Sequence, residues 1–211
     1  RAIATLAMSG STRIALGLGL AFVGDAVNNR LIVVDIADPS SPSILQRFDM
    51  PAGGPRFAAI AVEGSMVFVA HGTGGVVAIS ARAPGALQIT DTSLPDIPGA
   101  VINALAVQGN LLFAHDDRAG VRDRARTFRI SDEGRISLGS DVPLGSTGSV
   151  ALAVRQDYLL SLSTESQITV SRILPAPDRS DVPPSGTLSV LDPRDSYAPG
   201  AVLNLEARIK D

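Results

Sequence analysis

Apolar residues run along this chain in short bursts separated by clusters of Gly, Asn, Asp, Ser and Pro. LIVVDI (Leu31 to Ile36), MVFVA (Met66 to Ala70), GVVAI (Gly75 to Ile79) and LLFAH (Leu111 to His115) are representative: short for helices, rich in Val, Leu and Ile, and lacking a consistently polar alternate position. Segments of this kind predict β-strands whose two faces are both covered by other protein. Long helices are not expected.

The bursts recur. AIAVEGSMVFVAHG (from Ala59), ALAVQGNLLFAHD (from Ala104) and ALAVRQDYLLSLS (from Ala151) align at offsets of 45 and 47, and ALGLGLAFVGD (from Ala15) reads as an earlier copy with a shortened turn. Phe22, Phe68 and Phe113 share one position, which Leu160 takes in the last copy. Each copy continues into a third strand ending at Ile36, Ile79, Ile130 or Ile173, then into a weaker fourth: SILQRFDM, ALQITDTSL, ISLGSDVPL and GTLSVLDP. Four short strands per unit of roughly 45 residues predict an all-β fold, a β-propeller of about four four-stranded blades, because small sheets apolar on both faces must stack between neighbours. The blades are expected at about 11–54, 55–98, 99–145 and 146–193, with alanines of the AxAV strand near the crowded axis. Residues 1–10 read as the outer strand of a preceding blade. PGAVLNLEAR, which echoes PGAVINALAV at Pro98, makes residues 194–211 the first strand of a further blade or the start of an immunoglobulin-like domain. The chain reads as a piece of a longer or processed polypeptide, and as part of a larger ring.

LIVVDIADPSSP followed by AIAVEGSMVFVAHGTGGVVAIS resembles the LVIVD-type repeat of propeller proteins on bacterial and archaeal surfaces. Only the first copy carries the motif in good form; the place of Asp35 is read as Ala78, Arg129 and Arg172 in the others. The resemblance implies a propeller fold and a secreted or cell-surface location, and it implies no catalytic residues.

Composition narrows the picture. A net charge of −3 gives no electrostatic reason to expect nucleic acid as a partner. The longest apolar run, Ile14 to Val23, is about half the length of a membrane helix and contains two glycines, so no span is expected. Of the 18 cationic residues, 17 are Arg; there is no Cys, hence no disulfide or thiolate chemistry, and no Trp, hence no WD-type blade signature. Neither a GxSxG elbow, a P-loop nor an HExxH motif is present.

Four groups of residues remain as candidate sites, each with an ordinary structural explanation. Asp35 and Asp38, near Ser40 and Ser41, could supply oxygens to Ca²⁺, the one cofactor in view, although Asp before Pro is also a plain turn former. His71 and His115 follow second strands, at places read as equivalent on adjacent blades, and could be a ligand pair on one face of the disc or loop caps. Asp116 and Asp117 beside His115, with Arg56, could perform acid–base work or form a solvated tip. Arg122, Arg124 and Arg126 alternate, so a strand would project them from one face toward an anionic glycan or acidic partner, unless Asp123, Asp132 and Glu133 neutralise them. The sequence therefore favours a non-catalytic module that binds other protein domains or subunits, or a glycan, in adhesion or extracellular assembly. A propeller enzyme acting on polysaccharide and a structural subunit of a filament, appendage or virion are the alternatives.

Overall fold

The computed structural model describes residues 3–8, 10–51, 57–72, 74–83, 85–93, 99, 101–117, 124–144, 149–164, 167–173, 185–190 and 205–210. Every regular element among them is a strand, and every pairing is antiparallel. Sheet one contains β1 (Ser11–Gly17), β2 (Leu20–Asp25), β3 (Arg30–Asp35) and β4 (Ser43–Asp49) in chain order. Sheet two repeats this with β5 (Ala59–Glu63), β6 (Met66–Ala70), β7 (Val76–Ser80) and β8 (Gln88–Thr92). Sheet three has β9 (Ile102–Gln108), β10 (Leu111–Asp116), β11 (Arg124–Ile130) and β12 (Ile136–Pro143). Sheet four comprises β13 (Ser149–Arg155), β14 (Tyr158–Ser163) and β15 (Ile168–Arg172), while β16 (Ser185–Val190) and β17 (Leu205–Lys210) form a two-stranded ribbon. No described helix is long and apolar enough to cross a membrane.

The first strands of successive sheets, β1, β5, β9 and β13, pack on one another and face a common axis. The middle strands are dry on both sides, because a pleated strand sends alternate side chains to opposite faces. In β6, Val67 and Val69 join Phe22, Leu31 and Val33 of sheet one, whereas Phe68 and Ala70 join Leu112, Ala114 and Phe128 of sheet three. Phe113 and Ala125 then meet Leu159 of sheet four. Each fully buried Phe or Leu contributes about 1.5–3 kcal/mol, so these inter-sheet layers are the main source of stability.

Strand pairing corrects the reading of the first copy. Ala15 lies opposite Phe22 as Ala61, Ala106 and Ala153 lie opposite Phe68, Phe113 and Leu160. All four inner hairpins have two-residue turns, so the first is not shortened; its Ala15 belongs two positions further along. The first turn residue is left-handed in every copy: Leu18, Gly64, Gly109 and Gln156 have φ of 59°, 53°, 57° and 53°. The same registers place Ser80, not Ala78, at the position of Asp35.

Directed hydrogen bonds tie neighbouring sheets at matching positions. Near the axis, the Glu63 carboxylate accepts from the Gly109 N–H at 2.9 Å, and the Gln108 amide oxygen accepts from the Gln156 N–H at 2.8 Å. Toward the rim, Gln46 accepts from the Leu87 N–H at 3.2 Å and Asp91 from the Ile136 N–H at 3.0 Å.

Gly24 in β2 is held to glycine by packing. A Cβ there would lie 2.6 Å from Cγ of Phe57, a buried ring. Gly24→Ala is expected to destabilise the fold by about 1–3 kcal/mol through overpacking, lowering the calorimetric Tm by several degrees; an unchanged Tm would show that Phe57 moves freely.

Candidate functional site

One position, three residues beyond the shared Phe or Leu, is polar in every sheet: Asp25, His71, Asp116 and Ser163. None is more than 4% exposed. They close the second strand, where the chain leaves the middle of the sheet stack with backbone groups still to be satisfied. The Asp25 carboxylate accepts from the N–H groups of Val27 and Asn28 and from the Asn28 amide. Ser163 Oγ accepts from the Gln167 N–H at 3.3 Å. Asp116 accepts from the Val101 N–H and from Nε and Nη2 of Arg126, at 3.1 and 3.0 Å. His71 Nε2 meets Asn29 Oδ1 of sheet one at 2.6 Å, and its ring stands edge-on to Phe57. A single offset of 45 to 47 residues marks all four, so Asp25 and Ser163 were identifiable by extending the His71–Asp116 spacing in both directions.

This alignment shows that the two histidines are not equivalent. His115 matches Ala70, one place before His71, and bonds through Nδ1 to Asn103 Oδ1 at 2.5 Å. Both rings are buried, and each has its own asparagine partner. Burial holds His71 below the ordinary histidine pKa of 6.5. Burial alone would raise Asp25, but the Asn28 side chain, the Asn28 and Val27 N–H groups and nearby Arg30 together hold it below 3.8.

The inner strands enclose an open channel of about 230 Å³, lined by Arg13, Ile14, Ala58 to Ile60, Asn103 to Leu105, Ala151 and Leu152. Polar groups gather at the start of β9. Asn103 faces the channel, holds His115 through its oxygen, and donates from Nδ2 to Asp117 Oδ2 at 3.2 Å. Across the channel, Arg13 Nε donates to the Ala58 carbonyl at 2.7 Å. Asp117 is exposed, whereas Asp116 turns away toward sheet three.

Arg124 and Arg126 share one face, as strand alternation requires, and acids other than Asp132 and Glu133 face them. Asp141 on β12 takes both guanidinium groups, at 2.8 Å from Arg124 and 3.1 Å from Arg126, and Asp116 takes the other side of Arg126. Asp132 instead offers its carbonyl to Arg82, and Glu133 faces Arg135 at 3.6 Å. Arg56, Arg122 and Asp123 lie outside the described residues.

Asp35 and Asp38 do not converge. Asp35 Oδ1 accepts from the Ala37 N–H at 2.9 Å, and Asp38 Oδ1 accepts from Ser40 N–H and Oγ at 2.9 and 2.6 Å. The Ser40 bonds hold Asp38 below its ordinary pKa. Both follow the Asx-turn pattern. Among the described residues, no three His, Cys, Asp or Glu side chains gather as a metal would need.

Small antiparallel sheets, ordered from axis to rim and stacked face to face around a channel, define a β-propeller. Residues 12–50 match the family model of the LVIVD repeat, so the first sheet carries that repeat within the propeller fold. Solved structures of similar fold include the computationally designed Ika4 protein, at 18% identity and TM-score 0.60, with 79% of this chain and 93% of that one covered. A protein from Desulfotomaculum acetoxidans is similar at 15% identity and TM-score 0.66, covering 79% of this chain and 56% of that one. The β-propeller domain of Myceliophteria thermophila Cps50 (Swd1) is similar at 13% identity and TM-score 0.56, covering 76% and 50%. This chain thus spans about half the length of those two natural proteins. Comparison with curated proteins gives no match.

Removing Arg126 takes a counter-ion from the 1%-exposed Asp116 carboxylate, which keeps the Val101 N–H, so Arg126→Met is expected to cost about 3 kcal/mol in urea unfolding. Arg30→Met, which breaks the exposed pair with Asp49, should cost less than about 1 kcal/mol. Equal losses would refute the assignment of Asp116 as a buried, pair-dependent charge.

His71 adds a pH dependence. The folded protein holds its ring neutral, while the unfolded chain takes up a proton as pH falls through 6.5. Its contribution is therefore complete above 6.5 and declines as pH drops from there toward the lower folded-state value. Urea midpoints should fall between about pH 7.5 and 5.5, and His71→Gln should flatten that slope; an unchanged slope would exclude His71 as the linked group.

Proposed function

We propose that this chain is a non-catalytic binding module of a secreted or cell-surface prokaryotic protein, which holds a neutral glycan at the mouth of its axial channel. The observation that carries this reading is the internal pairing of the charged and histidine side chains that a catalytic site would use. Arg126 faces Asp116 and Asp141, Arg124 faces Asp141, His71 faces Asn29 and His115 faces Asn103. General acid–base chemistry needs a titratable group within reach of the substrate, yet His71, His115 and Asp116 are at most 1% exposed. The channel offers instead the Asn103 amide and the Arg13 guanidinium beside small apolar side chains. Hydrogen-bonding groups next to apolar surface suit sugar hydroxyls and ring faces. The resemblance to LVIVD-repeat surface propellers supports a location outside the cell.

The polysaccharide-enzyme reading would use His115, Asp116, Asp117 and Arg56. It is less well supported, since Asp116 turns to Arg126 while His115 and Asp117 meet different ends of the Asn103 amide.

An array of neutral oligosaccharides should give binding that calorimetry confirms, weakened about tenfold in Asn103→Ala or Arg13→Ala by loss of a hydrogen bond. The same glycans should show no new reducing ends or unsaturated products after prolonged incubation. An array with no ligand, affinity indifferent to both substitutions, or cleavage lost in His115→Ala would overturn the proposal.

A further inference from the structure

A β-bulge sets the geometry behind the channel wall. In the β9–β10 pairing His115 stands opposite Ala104 and Asp116 opposite Ile102, which leaves Asn103 as the extra residue of the bulge, its side chain re-aimed. Sheets one and four carry the same irregularity, with Thr12 and Val150 at the extra position and Gly24 and Leu162 where sheet three has His115. Of these three sheets, only sheet three sets an amide beside an imidazole there.

Hydrogen-bonding capacity then decides where the protons lie. An ionised carboxylate only accepts, so the Asn103 atom 3.2 Å from Asp117 Oδ2 is Nδ2, and Oδ1 faces His115. An amide oxygen also only accepts, so His115 Nδ1, 2.5 Å away, donates to it. A neutral imidazole carries one ring proton; in His115 it lies on Nδ1, and Nε2 is the accepting nitrogen. His71 comes out the other way. Asn29 Nδ2 donates to the carbonyls of Met50 and Pro51, each at 3.2 Å, so Oδ1 faces the ring and Nε2 of His71 holds the proton.

We infer that His115 is a positioning residue for the channel: its Nδ1–H and the Asp117 carboxylate hold the two ends of the Asn103 amide and fix which way that amide is presented. His115 is 0% exposed, so it acts through Asn103 and touches no ligand itself. A turned-over amide would set its oxygen against the Asp117 carboxylate and its N–H groups against the Nδ1 proton, two repulsions in place of two bonds. Asn103 lines the channel, so the wall presents this amide in one orientation before anything binds. Such preorganisation lowers the ordering cost of association. The effect on affinity rests on the channel holding a glycan, as proposed above; the placement of the protons does not.

The chain has two histidines, so its imidazole nitrogen-15 spectrum holds two rings, assigned with His71→Gln and His115→Asn. At about pH 8, above the ordinary histidine range, long-range nitrogen–proton correlations should show opposite tautomers, Nδ1–H in His115 and Nε2–H in His71. Asp117→Asn, a change at the exposed end, lets the amide turn over and should give His115 a mixture of both tautomers. A glycan found by array should bind about tenfold more weakly to His115→Leu, which has no donor, and within about threefold of wild type to His115→Asn, whose Nδ2 stands in for Nδ1. Circular dichroism and unchanged His71 signals check folding; should His115→Leu not fold, the spectra of the wild type and of Asp117→Asn decide alone. An Nε2–H tautomer in His115, a tautomer unmoved by Asp117→Asn, or equal affinities in His115→Leu and His115→Asn would overturn the inference. If no glycan binds, the proposed function fails, and the tautomers still decide whether His115 and Asp117 orient Asn103.

Discussion

The structure depends on stacking sheets that have no wet face. β6 sends Val67 and Val69 one way and Phe68 and Ala70 the other, so sheet two is stable only with both neighbours in place. An isolated sheet of three or four such strands would expose both layers to water, and the array must gain its stability across interfaces. Apolar contact is non-directional and would leave each sheet free to slide over the next. The inter-sheet bonds from Glu63, Gln108, Gln46 and Asp91 remove that freedom. They lie near the axis and near the rim, and between sheets two and three one of each, from Glu63 and Asp91, fixes both height and rotation.

The same stacking governs the polar chemistry. A second strand buried on both sides delivers its last residue into a place shielded from water, whatever that residue is. Asp25, His71, Asp116 and Ser163 are four answers to one requirement, that a polar group there must find partners at once. Asp25 and Ser163 take backbone N–H groups from their own loops; Asp116 combines the Val101 N–H with Arg126; His71 reaches back to Asn29 of the preceding sheet. A histidine next to two aspartates, AHDD, resembles catalytic machinery in sequence. In space its members are dispersed by alternation: His115 points to Asn103, Asp116 to Arg126, and Asp117 to the channel mouth.

Much of this was legible in the sequence, because the repeat period and the doubly apolar strands are one-dimensional signals. Alanines mark the register less reliably than the Phe positions, because they recur at two places in the inner strand of each later copy. Aligning Ala15 with the first Ala of the later copies shortens the turn, whereas the spacing of Phe22, Phe68 and Phe113 agrees with the observed pairing, which places Ala15 with Ala61, Ala106 and Ala153. Taking His71 and His115 as equivalent was a shift of one, which in a strand exchanges faces. The counter-ions of Arg124 and Arg126 were not readable at all. Asp141 reaches them from β12 past an irregularity in the β11–β12 register between Arg126 and Phe128, and such offsets leave no spacing rule.

The aspartate of the LVIVD strand illustrates what the repeat requires. Register puts Ser80, Arg129 and Arg172 where sheet one has Asp35. All four sit at the strand's exit, partly or fully exposed, and two carry the opposite charge. A ligand set could not tolerate that exchange, whereas a strand end needs only a polar group able to meet water or a nearby N–H. Asp35 does the latter with Ala37, locally and without help from another sheet. The match to the family model accordingly stops at residue 50, while the strand pairing and the inter-sheet layers continue into sheet four. Burial, set by what lies on either side of each sheet, constrains the copies more strongly than the identity of any exposed side chain.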